Sequence, residues 1–368
     1  MAAMPAGQAA GQQWSVRELA RAGTASGIEF GRIRSLAVAD DGRIFVLDML
    51  ASQVHVLSAT GALERSIGRK GGGPGELSEG AAGVAVIGGR LVVMDAGNRR
   101  ISVYRPDGAF VRSRPIDISI GVPVAWSALG DRLVYLARPM ESLLGRIGEP
   151  VAYLVLAVDP FTDSPAQTLV RVSMPAGAEV SPGASVALRL DLRKPDLLLS
   201  GNGRDRLLLA RTDTARVRVL ETSGRTIRWI ATSGGGRAYT GAEKARIRHL
   251  ADSASRAGYL VGARAGARAA GAGATLPPPQ SEVLVPERAP ALTALLAGDR
   301  FLLVGQGDHL QRTPANWQVY GYDGKLLGSV RLPARLRPLA LHGDRLYGVL
   351  LDELDVESVV ILQLVARR

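Results

Sequence analysis

An internal repeat limits this chain more than any other feature. Residues 35–48 read SLAVADDGRIFVLD, and 47 positions on, residues 82–95 read AGVAVIGGRLVVMD. Each copy is a short apolar run, a turn of glycine or aspartate, and a second apolar run. An alternating segment follows in both (Gln53–Leu57, Arg100–Tyr104), then a glycine turn (Gly61, Gly108) and a fourth strand-like stretch. Four short strands joined by hairpin turns make one antiparallel sheet. Such a sheet cannot bury both of its faces alone, so the repeats must stack on one another.

The first turn counts the copies. Glycine or aspartate, then arginine, then an apolar strand occurs at Arg43, Arg90, Arg132, Arg206, Arg300 and Arg345. From this arginine to the glycine of the second turn is 18 residues in three copies (43 to 61, 90 to 108, 206 to 224) and 24 in the fifth. The third copy has no glycine at the matching place. Six four-stranded repeats predict an all-β, six-bladed β-propeller over residues 13–368, with residues 1–12 as a disordered tail or signal-peptide remnant. After Arg345 only 23 residues remain, enough for two more strands of the last blade and not for its outermost one. The alternating segment Trp14–Leu19 has no blade of its own. Pairing it beside Val359–Val365 closes the circle and removes two exposed edges.

Residues 31–116 resemble the NHL-type repeats of six-bladed propellers common in bacterial extracytoplasmic proteins. The resemblance rests on DDGRIFVLD, SQVHVLSATG, IGRKGGGPGEL (67–77) and MDAGNRRISVYRPDG (94–108), and DELDVESVVILQL (352–364) is similar to the last blade of the same proteins. It implies the fold more than an activity, because function lives in sites grafted onto folds. Propellers of this kind bind proteins, glycans or RNA, and a few are lactonases or amidating lyases with metal ligands in the channel.

Composition narrows the chemistry. With no cysteine, a thiolate nucleophile, a disulfide framework and a thiolate zinc site are all excluded. The four histidines (55, 249, 309, 342) lack metal spacing, and neither a metal nor a cofactor is expected. A net charge of +11 suggests a polyanion, but only four of the 45 basic residues are lysines and the arginines are spread along the chain, as GC-rich codon usage produces. Nucleic acid is therefore not the expected partner. The loop GRKGGGPGE is no phosphate-binding P-loop, since Lys70 comes early and no Ser or Thr follows it. No run approaches the length of a membrane span. The start MAAMPAGQAAGQQ resembles the end of a signal peptide whose leader is truncated, so an extracytoplasmic location is expected and a cytoplasmic one stays open.

In a propeller the turns between the first and second strands, and the third and fourth, share one face. The other loops share the opposite face. Turns of the first kind are short here, whereas Arg69–Ala81, Ala137–Pro150, Gly305–Asn316, Leu351–Glu357 and an insertion at 232–288 are long. Long loops carry function. The chain therefore reads as a monomeric, non-catalytic binding or scaffold propeller for a protein or cell-envelope ligand. A channel-mouth hydrolase or lyase is the alternative. Candidate ligand-binding residues on the long-loop face are Asp48, Asp95, Arg100, Arg138, Arg211, His309 and Asp352. Asp48 and Asp95 end equivalent strands, where an aspartate either caps the following turn or meets a ligand. His309 is the only histidine on a long loop of that face. Within the insertion, between blades 4 and 5, Thr240 and Glu243 form a capping box, which predicts a helix from Gly241 to Arg256. Residues 262–274 then read as low-complexity and mobile, and Pro277–Pro279 as a polyproline return. The insertion is either a lid or padding over a groove. Finally, the six repeat arginines fall in a circle on the short-loop face, with aspartates 41, 131, 205, 299 and 344 placed to offset five of them.

Overall fold

The computed structural model describes residues 12–144, 146–181, 187–269, 280–310, 314 and 316–366. The chain opens with β1 (Gln12–Ala22), and blade 1 follows as β2 (Ile33–Val38), β3 (Ile44–Asp48), β4 (Gln53–Leu57) and β5 (Leu63–Ile67). Blade 2 is β6 (Ala81–Ile87), β7 (Arg90–Asp95), β8 (Arg100–Tyr104) and β9 (Phe110–Pro115). Blade 3 is β10 (Val122–Leu129), β11 (Arg132–Arg138), β12 (Pro150–Val158) and β13 (Gln167–Pro175). Two strands outside the ring come next, β14 (Ala178–Ser181) and β15 (Ala187–Asp191). Blade 4 is β16 (Leu197–Gly201), β17 (Leu207–Arg211), β18 (Arg216–Leu220) and β19 (Thr226–Ala231). A long helix, Gly241–Ala269, and β20 (Gln280–Leu284) precede blade 5, which is β21 (Ala294–Ala297), β22 (Phe301–Gln306), β23 (Asn316–Gly321) and β24 (Leu326–Arg331). Blade 6 holds β25 (Leu336–His342), β26 (Arg345–Leu351) and β27 (Glu357–Ala366).

Each blade buries both faces against its neighbours, so the core is divided among the blade interfaces. Ile101, Val103, Leu133 and Tyr135 fill the gap between blades 2 and 3. Phe45, Leu47, Leu91 and Val93 fill that between blades 1 and 2. Trp317, Leu303, Leu346 and Leu362 do so between blades 5 and 6. The second turn of four blades needs a left-handed residue, and Gly61, Gly108, Gly224 and Gly324 supply it with φ of 87, 94, 86 and 87°. Blade 3 has no such glycine because β12 and β13 are nine residues each and meet through a longer loop capped by Asp159, whose Oδ1 accepts the Phe161 amide at 2.8 Å. Blade 2 grips this loop, as Arg114 donates to Asp159 O (2.8 Å) and the Arg90 guanidinium stacks 5.2 Å from the Phe161 ring centre.

The ring closes through β1. It runs antiparallel to β27 from Trp14 opposite Ala366 to Ala22 opposite Val359, with a bulge between Glu18 and Ala20. The strand is longer than Trp14–Leu19, and its first residues also pair in parallel with β24, Gln12 to Trp14 opposite Gly328 to Val330. One strand thus completes blade 6 and joins it to blade 5. The close approach requires glycine, because a Cβ at Gly328 would lie 1.8 Å from the Gln12 carbonyl oxygen. Trp14 packs edge-on to Phe301 at 5.2 Å.

The insertion differs from its expected form in two ways. The helix runs on to Ala269, so residues 262–269 are helical and not low-complexity coil, while 270–279, with Pro277–Pro279, lie outside the described residues. The alanine and arginine of that stretch favour helix strongly enough to carry its glycines, each of which costs about 1 kcal/mol. In addition, β14, β15 and β20 form a three-stranded sheet, with β15 antiparallel to β14 and parallel to β20. The loops that follow blades 3 and 4 therefore combine into one small cap.

Candidate functional site

On the short-loop face the repeat arginines are only partly offset by their own aspartates. Arg43 pairs with Asp41 (2.7 Å) and Arg206 with Asp205 (2.7 Å), while Arg132 stands 4.0 Å from Asp131 and donates to Gln167 Oε1 at 2.7 Å. Asp299 and Asp344 are not partners of the arginines that follow them. Asp299 faces Arg204 at 3.8 Å and accepts the Gly343 amide, and Asp344 holds the Gln363 side chain at 2.8 Å. The two-residue turns aim these carboxylates sideways, toward neighbouring strands and turns.

On the long-loop face the seven candidate residues do not gather at one point. Asp48 is buried, and its carboxylate accepts the amides of Gly31 (2.6 Å), Arg32 (3.0 Å), Leu50 (3.1 Å) and Ala51 (3.2 Å). Burial alone would raise its pKa. The His55 ring, 3.8 Å away, and the amides of Gly31, Arg32 and Ala51 outweigh it and hold the carboxyl well below the usual range. Asp95 is also buried and accepts Asn98 Nδ2 (2.7 Å) and the Ser78 hydroxyl, with Arg100 at 3.6 Å. Arg100 reaches back over the glycine-rich crossover and donates to the carbonyls of Gly72, Gly73 and Glu76 at 2.9, 2.8 and 2.7 Å. Asp352 closes its own turn by accepting the amides of Leu354 and Val356, both at 2.9 Å. Arg211 forms a two-pronged pair with Asp213 at 3.0 and 2.7 Å. Arg138 is half-buried at the end of β11, and its Nε has no hydrogen-bond partner.

His309 belongs to a different setting. It lies beside a cleft of about 840 Å³ bounded by residues 191–196, the 212–215 loop of blade 4, Gly234–Gly236, residues 286–291 and Asp308. The Tyr239 hydroxyl accepts the His309 amide at 3.0 Å and bonds the ring Nδ1 at 2.9 Å. The Tyr239 hydroxyl thus ties the His309 ring and backbone together at one oxygen and fixes the orientation of the imidazole. Packing around the ring lowers the His309 pKa against the opposing pull of Asp196 and Asp308. Tyr239 titrates above its ordinary value, chiefly through burial. Arg237 bridges the start of the helix to blade 5, pairing with Glu243 (2.6 Å) and Asp308 (3.0 Å), and this holds the Glu243 carboxyl down to about 2. Thr240 and Glu243 form the capping box as spaced, with Thr240 Oγ1 accepting the Glu243 amide at 3.2 Å. Lys194 pairs with Asp196 at 3.1 Å.

Tyr239, Arg237, Lys194 and Asp308 were invisible as site residues in sequence. The capping box next to Tyr239 was the one available signal. Among the described residues no three His, Asp or Glu side chains are grouped to hold a metal ion. A second cavity, of about 440 Å³, is the central channel. Its walls come from all six inner strands, with Ser35, Val84, Ala125, Leu199, Leu295 and Leu339 among the lining residues.

Comparison with known proteins agrees with this architecture. A family model described as a 6-bladed beta-propeller matches residues 23–135. No curated protein matches the chain in sequence. Among solved structures, a candidate exported protein from Bacteroides fragilis is 12% identical, with 96% of each chain covered and a TM-score of 0.54. A member of the DUF4221 family from Bacteroides vulgatus is 11% identical, again with 96% of each chain covered, at a TM-score of 0.53. At these identities the likeness is one of fold. The chain is a six-bladed β-propeller.

Proposed function

We propose that this propeller is a binding module that recognises a protein or cell-envelope ligand through its long-loop face, with the cleft under the cap as the centre of recognition. One observation carries the reading: loops from blades 3, 4 and 5, which have no scaffold role in the ring, converge around a single cleft of about 840 Å³. Its lining mixes charged pairs with an exposed glycine backbone, the combination that presents fixed hydrogen-bonding groups to a partner. Kinship with NHL-type propellers and an extracytoplasmic location belong to the same reading, supported by the repeat residues 31–116 and the alanine-rich start. No helix among the described residues is long and apolar enough to cross a membrane.

Gly235 offers the test. A Cβ there meets nothing within 4 Å, so Gly235→Trp fills the cleft without a clash in the ring. Capture from envelope extract by the full chain is expected to fall at least tenfold in this variant, with the melting temperature unchanged. Equal capture would overturn the reading. One observation favours a second reading as a hydrolase or lyase, namely the His309 imidazole oriented by Tyr239, with its pKa lowered by burial against the pull of Asp196 and Asp308. Turnover in a lactone and esterase screen that His309→Ala abolishes would replace the binding reading with that one.

A further inference from the structure

The long-loop end of the central channel carries positive charge that the protein itself leaves unbalanced. Inner strands β2 and β25 belong to blades 1 and 6, neighbours across the ring closure, and contribute Arg34 and Arg337 to the channel lining. Arg337 donates through Nη2 to the Ile33 carbonyl and faces Glu357 at 3.6 Å. That carboxylate is already shared, because its other oxygen accepts the Ile33 amide. Arg337 Nε is buried and makes no hydrogen bond. Arg32 and Arg34 are exposed at the same mouth, and neither meets a carboxylate among the described residues. Arg32, Arg34 and Arg337 therefore share this mouth with Glu357, while the neighbouring Asp48 carboxylate is taken up by backbone amides, at the rim of a channel whose protein walls concentrate the field.

We propose that this mouth is an oxyanion site, in which Arg34 and Arg337, with Arg32 at the rim, take the carboxylate or phosphate group of a ligand narrow enough to enter the channel. Guanidinium forks match both groups in geometry, and charge-assisted hydrogen bonds are about twice as strong as neutral ones. The site is separate from the cleft under the cap and does not depend on its role. The contrast with other arginines of the face is direct: Arg100 and Arg211 have their donors taken by carbonyls or a carboxylate, whereas the Arg34 fork meets no acceptor among the described residues. Burial lowers the Arg337 pKa, and Arg34 and Arg32 push it the same way against Glu357, a strain that an incoming anion relieves.

Calorimetric titration of the full chain at low ionic strength tests this, with inorganic phosphate in one arm and succinate in the other. Saturable one-site binding of at least one probe is expected, and the stronger arm identifies the group. Arg34→Gln, which removes no hydrogen bond within the protein, should weaken it at least tenfold. Arg300→Gln removes the same charge on the opposite face and should change it less than twofold, and Gly235→Trp should leave it unaltered. No saturable binding to the unmodified chain, or equal loss in Arg34→Gln and Arg300→Gln, would overturn the proposal. Loss in Gly235→Trp would overturn the separation of the two sites.

Discussion

On the short-loop face, Arg43 and Arg206 meet aspartates one or two residues away, in exposed turns. On the long-loop face, Arg100 reaches back to three carbonyls of the crossover at 69–77, and Arg237 ties the cap helix to blade 5. The residue type is the same and the consequence differs. Sequence-local pairs can form in any turn and fix nothing beyond it, whereas pairs between distant segments hold loops in one arrangement. Arg43 and Arg206 are therefore replaceable one at a time, although Arg204–Asp299 ties separate turns of the same face, whereas Arg100 and Arg237 hold an assembled surface.

The largest effect that would break this contrast comes from the closing strand. Removing residues 12–22 strips the outer strand from blade 6, its pairing with blade 5, and Trp14 and Val16 from the interface. A loss of more than about 4 kcal/mol, or failure to fold cooperatively, is expected from that burial alone. A truncated chain that melts within a degree of the full one would refute the closure.

Asp48→Asn comes next, at about 3 kcal/mol, because four backbone amides lose a charged acceptor. The sign with pH follows from its lowered pKa. The stabilisation is complete above the unfolded aspartate value of about 3.9 and is lost as pH falls through the folded value. The gap in urea midpoint between the variant and the parent should therefore narrow from pH 7 to pH 3, without closing. A constant gap would show that the carboxylate charge is not the source.

Arg100→Gln should cost about 2 kcal/mol and open the crossover, so that trypsin cuts faster after Arg69 and Lys70. An unchanged digestion pattern would mean the glycine-rich loop holds itself. Smallest of all is Arg43→Gln, at most about 1 kcal/mol for an exposed pair. A larger loss would erase the distinction between the two faces.

Much of this ring was legible in the sequence because each blade repeats the same turn chemistry, and a glycine with φ near 90° has few substitutes. The missing outer strand of the last blade even located its own replacement. The cap was not legible. Its strands are four or five residues long and come from two loops far apart in the chain, so β15 and β20 have no periodic signal linking them. The aspartates show another limit. A carboxylate after a strand looks the same whether it caps a turn or waits for a ligand, and only the amides around Asp48 reveal that its oxygens are occupied. Tyr239 and His309 meet across 70 residues, a distance at which two lone residues predict nothing.

Hydrogen–deuterium exchange of the full chain, with and without the partner it captures from envelope extract, bears most directly on which face binds. Protection is expected at residues 191–196, 234–236, 286–291 and 308–309, around the cleft. Protection confined to the turns at 40–43, 130–132 and 202–206 would place recognition on the short-loop face and contradict the account.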